Sequence, residues 1–158
     1  MGYKIFLSHS SADERWVKWI ATNARSVGIE VYLYQYDPQP GTPLDQKIPL
    51  RIQECDALVV FITANARYSQ MVHQEIGIAK GKQKLIVPLV QPGVPSEALG
   101  MLQGREYVPF DFQNPQQGLG TLLQYLQNLK QLKEKQQLAL AVLGLGAIIA
   151  LAFLGGKQ

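Results

Sequence analysis

Ala57-Leu58-Val59-Val60-Phe61-Ile62 is a run of six apolar residues with no polar alternate. Successive side chains of a strand point to opposite faces, so a strand of this composition must be covered on both sides. That requirement selects a parallel sheet sandwiched between helices. Lys4-Ile5-Phe6-Leu7-Ser8, Ile29 to Tyr34, Leu85 to Val90 and Tyr107 to Phe110 read as four further strands, and helical patterns alternate with them. The expectation is an α/β sandwich whose ligands bind beyond the carboxyl ends of the strands.

The helical stretches follow from spacing. Ser10 and Ser11 can each cap a helix, with Asp13 and Glu14 three residues on, and Trp16, Ile20, Ala24 and Val27 mark its apolar face up to Gly28. Leu44, Ile48 and Ile52 are spaced for a second helix, which Pro49 should bend or shorten. Between these lies Gln35-Tyr36-Asp37-Pro38-Gln39-Pro40-Gly41-Thr42-Pro43, too rich in breakers for regular structure. Leu119, Leu122, Leu123, Leu126, Leu129 and Leu132 stripe a last helix that either closes the sandwich or pairs with a copy of itself.

The stretch from Ser69 to Ala79 puts a charge where a helix pattern asks for an apolar residue. Tyr68, Val72, Ile76 and Ala79 form its stripe, and Glu75 falls at the stripe's edge. A carboxylate withdrawn from water must find partners, shift its pKa or serve a reaction that needs negative charge. Taken alone, this pattern also fits a boundary glutamate whose head reaches water.

A length of 158 residues suits one domain, and a net charge of +3 with scattered lysines gives no nucleic-acid stripe. Cys55 stands alone and reads as a small buried hydrophobe. Two histidines and one cysteine offer no metal-ligand spacing, and no phosphate-binding glycine fingerprint follows the first strand. No secretory signal opens the chain. Leu138 to Gly156 contains no charged residue, and at ~1.5 Å per residue such a helix about matches a ~30 Å hydrocarbon core. It reads as a membrane anchor, the alternative being a core or oligomerisation helix.

Ile5-Phe6-Leu7-Ser8-His9, the loop from Tyr36 to Leu44 with Gly41, and Ser69 followed by Glu75 together resemble the Toll/interleukin receptor (TIR) domain family. The resemblance spans roughly Tyr3 to Lys130 and implies a flavodoxin-like three-layer sandwich with a five-stranded parallel sheet. In the enzymes of that family the glutamate matching Glu75 cleaves the bond between nicotinamide and ribose in NAD, sometimes with cyclisation of the ADP-ribose. NAD is then the substrate, and no further cofactor is implied. Substrate contacts carried over by the resemblance are Phe6, Ser8, His9, Ser10, Ser11, Tyr34, Tyr36, Ser69 and Met71, although Ser10 and Ser11 serve equally as helix caps. Met71 stands where many relatives have Trp, and Tyr34 where Asp is common. Asp37, Pro40 and Gly41 belong to a loop that sits at subunit contacts in the family.

The resulting expectation is a TIR domain over residues 1–130, a helical linker over 131–137 and a transmembrane helix over 138–156. It would cleave NAD in antiphage defence or cell suicide, as an oligomer with other TIR domains. Lys130, Lys133 and Lys135 precede the span and Lys157 follows it, which places the domain on the cytoplasmic side. A non-enzymatic scaffold that signals by TIR–TIR assembly is the alternative, and a membrane-perturbing effector a third class.

Overall fold

The computed structural model describes residues 2–155, with side chains described through residue 146. Strands β1 (Tyr3–Ser8), β2 (Ile29–Tyr32), β3 (Ala57–Ile62), β4 (Leu85–Val90) and β5 (Val108–Pro109) form one sheet in the order β2-β1-β3-β4-β5. Every pairing is parallel. Helices α1 (Glu14–Ser26), α2 (Leu44–Glu54), α3 (Gln70–Gly81) and α4 (Pro115–Gly155) complete a flavodoxin-like sandwich. The period of two in the strands sorts the core into halves. Ile5, Leu7, Val59 and Phe61 pack with α1 and α4, whereas Phe6, Leu58, Val60 and Ile62 pack with α2 and α3. Covered from both sides, β3 is buried from end to end.

Several local expectations change. The second strand stops at Tyr32, and Tyr34–Tyr36 turns as a short 3-10 helix. Pro49 neither shortens nor ends α2; it lies one turn in, where only one backbone hydrogen bond is forfeited. Tyr68 leaves the expected stripe, being 80% exposed in a 3-10 turn ahead of α3. In α1 the buried face is Val17, Ile20, Ala21 and Ala24, while Trp16 turns sideways onto Phe110 at 5.7 Å between ring centroids. Phe110 also meets Phe61 at 5.2 Å and Phe112 at 5.8 Å. Aromatic pairs of this geometry contribute about 0.5–1.5 kcal/mol each beyond burial, which is how an edge strand of two residues is held. Gly118 lets α4 close on this edge, since a Cβ there would come within 2.6 Å of the Pro109 carbonyl oxygen.

Helix α4 closes the sandwich with Leu119, Leu122 and Leu126 buried and runs down to the amino ends of the strands. There Lys130 Nζ donates to the Gly28 carbonyl at 3.2 Å. Lys133, in the stretch expected as linker, donates to the Gly2 carbonyl at 2.9 Å and pairs with Asp56 at 2.9 Å. No hinge separates this part from the tail, because one helix continues to Gly155. Among the described residues no helix is long and apolar enough to cross a membrane. The anchor expected over 138–156 is therefore not found there, and the side chains of its residues 147–156 lie outside the described set.

Candidate active site

The strand order reverses between β1 and β3, and the chain leaving β1 opens a crevice at their carboxyl ends. Across it stands the start of α3, capped by Ser69, whose Oγ accepts from the Val72 amide at 3.3 Å. The cap fixes the helix so that Glu75, on its second turn, points into the sheet. A cavity of about 310 Å³ results, lined by Phe6, Leu7, His9, Ser11, Glu14, Tyr34, Gln35, Ser69, Met71 and Glu75. Seven of the residues singled out in the sequence thus meet here: Phe6, His9, Ser11, Tyr34, Ser69, Met71 and Glu75.

Glu75 is withdrawn further than its place in the stripe suggested, at 4% exposure. Desolvation lifts its pKa from 4.5 to about 7, and the nearby Ser8 hydroxyl pulls weakly the other way. Yet neither Ser8 Oγ nor Glu75 Oε2 completes a hydrogen bond, and Gln35 Oε1 is the third buried side-chain atom in that condition among the described residues. No basic side chain pairs with Glu75 among them either. Buried polar groups are ordinarily satisfied. Two of these three atoms belong to residues lining one cavity, and Ser8 follows the cavity residues Phe6 and Leu7 along β1.

His9 lines the cavity too. Its Nδ1 lies 3.1 Å from the Leu7 carbonyl, and its Nε2 lies 3.0 Å from Gln35 Nε2. Burial lowers its pKa, opposed by the Leu7 carbonyl and by the charges of Asp13 and Glu14. Ser8 is 1% exposed and is not one of the lining residues. Ser10 caps the following turn, accepting from the Ala12 amide at 3.4 Å, and does not line the cavity. Tyr36 also lies outside the lining, 53% exposed, with its hydroxyl donating to Glu14 at 3.0 Å on the rim. Hydrogen bonds from Lys18 and then Tyr36 hold the Glu14 carboxyl below its usual range. A TIR domain model matches residues 5–123. The chain belongs to the TIR family.

Solved TIR domains share its architecture. Those of the activated Roq1 resistosome, which recognises the pathogen effector XopQ, superpose with a TM-score of 0.65 at 17% identity over 79% of this chain and 99% of theirs. The TIR domain of the Toll-related receptor TRR-2 from Hydra magnipapillata gives 0.64 at 16% identity, covering 79% and 98%. The CMP N-glycosidase BcmB of Clostridium botulinum gives 0.54 at 20% identity, covering 77% and 98%. No curated protein matches the sequence significantly.

In this TIR domain the long loop after β2 is tied inward at Asp37. The Asp37 carboxylate accepts from Tyr32 at 2.9 Å and from Arg51 at 3.1 Å, and Lys47, buried in α2, donates to its carbonyl. The Tyr32 hydrogen bond, then the Lys47 and Arg51 charges, hold the carboxyl low. Pro40 and Gly41 project into solvent, and with φ +85° Gly41 adopts a turn that other residues resist. Sequence reasoning missed three lining residues, Leu7, Glu14 and Gln35. It also missed Asp13, which it read as a capping acid. Asp13 is buried and accepts from Thr63 at 2.5 Å and Asn65 at 2.9 Å, joining the loops after β1 and β3 beside the cavity.

Proposed function

We propose that this TIR domain cleaves the bond between nicotinamide and ribose in NAD, with Glu75 as the catalytic carboxylate. The observation that carries this reading is a buried carboxyl with an unpaired oxygen, no cationic partner among the described residues, and a pKa near 7. Desolvation makes the group harder to ionise than an ordinary carboxyl. A substrate that brings positive charge supplies the partner the protein withholds, and draws the group into its ionised form. NAD carries that charge on its pyridinium ring. As the bond breaks, the electron pair leaves with nicotinamide and the charge moves to the ribose. A carboxylate beside the ribose then meets more positive charge in the transition state than in bound NAD, where the charge lies on the pyridinium ring, which is the condition for differential stabilisation. Water completes hydrolysis by giving hydroxyl to the ribose and releasing a proton; attack by the adenine ring instead gives a cyclic product. The Met71 thioether provides a polarisable apolar wall for the pyridine ring. N-glycoside cleavage is compatible with this architecture, since BcmB, of similar fold, is a CMP N-glycosidase.

The tail is proposed to hold the domain at a membrane, in a defence or cell-suicide role and in assemblies with other TIR domains. Its support is the exposure of Leu138, Leu140, Val142, Leu143 and Leu145, each between 59% and 69%. Lysines ahead of Leu138 outnumber those behind Gly156, which favours the cytoplasmic side for the domain. A second reading, a scaffold acting only by TIR–TIR assembly, is favoured by Met71 and Tyr34, where many relatives carry Trp and Asp is common. Incubating the purified protein with NAD and separating the products by chromatography decides between them. Nicotinamide release by wild type and none by Glu75→Gln is the expected result; NAD left intact by wild type overturns the enzymatic reading in favour of the scaffold.

A further inference from the structure

The orientation of Gln35 is dictated by His9. The Leu7 carbonyl only accepts, so the neutral His9 ring carries its proton on Nδ1, 3.1 Å away. Nε2 is then an acceptor, and the group 3.0 Å from it must be the amide nitrogen of Gln35. Burial of the ring favours this neutral form. The other end of the amide, Oε1, is consequently turned away from His9. It is buried without a partner among the described residues, in a side chain that lines the same cavity as Glu75. A buried carbonyl oxygen is costly to leave unpaired, and a donor carried by a ligand in the cavity that Gln35 lines is the partner it lacks.

We infer that Gln35 Oε1 accepts a hydrogen bond from an N–H or O–H donor on the nicotinamide-riboside half of the substrate. The inference rests on the NAD reading above and adds a specificity residue to it. Two groups of that half carry the required chemistry, the primary amide on the pyridine ring and the ribose hydroxyls. Both are donors, and Gln35 selects against a ligand that lacks the one it meets.

The test measures binding in a Glu75→Gln background, where NAD is expected to persist uncleaved. Dissociation constants are taken by calorimetry for NAD, for its 3-acetylpyridine analogue, and for analogues lacking one hydroxyl on the nicotinamide ribose. The acetylpyridine analogue keeps the carbonyl and replaces the amide nitrogen with methyl. The same ligands are titrated into proteins that also carry Gln35→Leu or Gln35→Met. At least one analogue should bind about 10-fold or more weakly than NAD, and the Gln35 replacement should bring that ratio within about 3-fold. Which analogue behaves so identifies the donor. The Met variant preserves side-chain length should the Leu variant fold poorly, and thermal melts of the ligand-free proteins check both. Equal binding of all ligands, a penalty that survives replacement of Gln35, or no binding of NAD overturns the inference. Gln35-dependent selectivity in that background, together with a wild-type protein that never releases nicotinamide, overturns the hydrolase reading alone.

Discussion

Glu75→Gln should remove a cost to folding that grows with pH. A carboxyl whose pKa is about 7 when folded and 4.5 otherwise is harder to ionise in the native state by roughly 3 kcal/mol, at about 1.4 kcal/mol per tenfold change in proton affinity. The folded protein therefore holds more protons than the unfolded chain between pH 4.5 and 7, and across that window its stability falls as pH rises. Below the window Glu75 is protonated in both states and the penalty is absent; above it the penalty is complete. Glutamine keeps the shape and does not titrate. Its buried amide adds a pH-independent offset of its own, so the informative quantity is the change in the difference between variant and wild type. Urea denaturation followed by circular dichroism at pH 5 and pH 8 measures it. The variant should gain roughly 2–3 kcal/mol on wild type between the two pH values, or on the order of 5–10 °C in melting temperature. Parallel pH dependences for the two proteins would refute the reasoning, for they would mean that Glu75 is solvated or paired in solution.

Asp13→Ala strands the buried Thr63 hydroxyl and removes the Asn65 contact, and should cost about 2–4 kcal/mol by urea denaturation, with Asp13→Asn costing less. Deleting residues 138–158 should leave a domain that still binds NAD but no longer sediments with membranes. Full-length protein that stays in the soluble fraction without detergent, as the truncated form does, would remove the anchor.

The parts of this fold that could be read from the chain are those decided by near neighbours. β3 announces itself because six consecutive apolar residues tolerate no exposed face, and Glu75 stands out because a charge interrupts a helical stripe. What escaped was decided at a distance. Asp13 finds its partners about fifty residues away, so its position near a helix start suggested only a cap. Gln35 sits in a stretch of breakers, and what aims it is a histidine 26 residues earlier. Tyr68 keeps the spacing of the α3 stripe, but the helix begins after it, and the turn carries its ring outward. β5 is too short to show a period of two; the rings around Phe110 hold it, and their meeting depends on the tertiary fold.

Lys133 meets Gly2 and Asp56 where β1 and β3 begin, whereas the cavity opens where β1 ends. Tail and mouth therefore occupy opposite poles, separated by the height of the sheet, about 20 Å for strands of six residues. A surface that captures the tail leaves the mouth turned toward the bulk solution, open to a diffusing dinucleotide. Tension on the tail would reach the ends of the strands farthest from Glu75, so that the domain can be tethered, crowded or pulled from below while the cleft above keeps its shape.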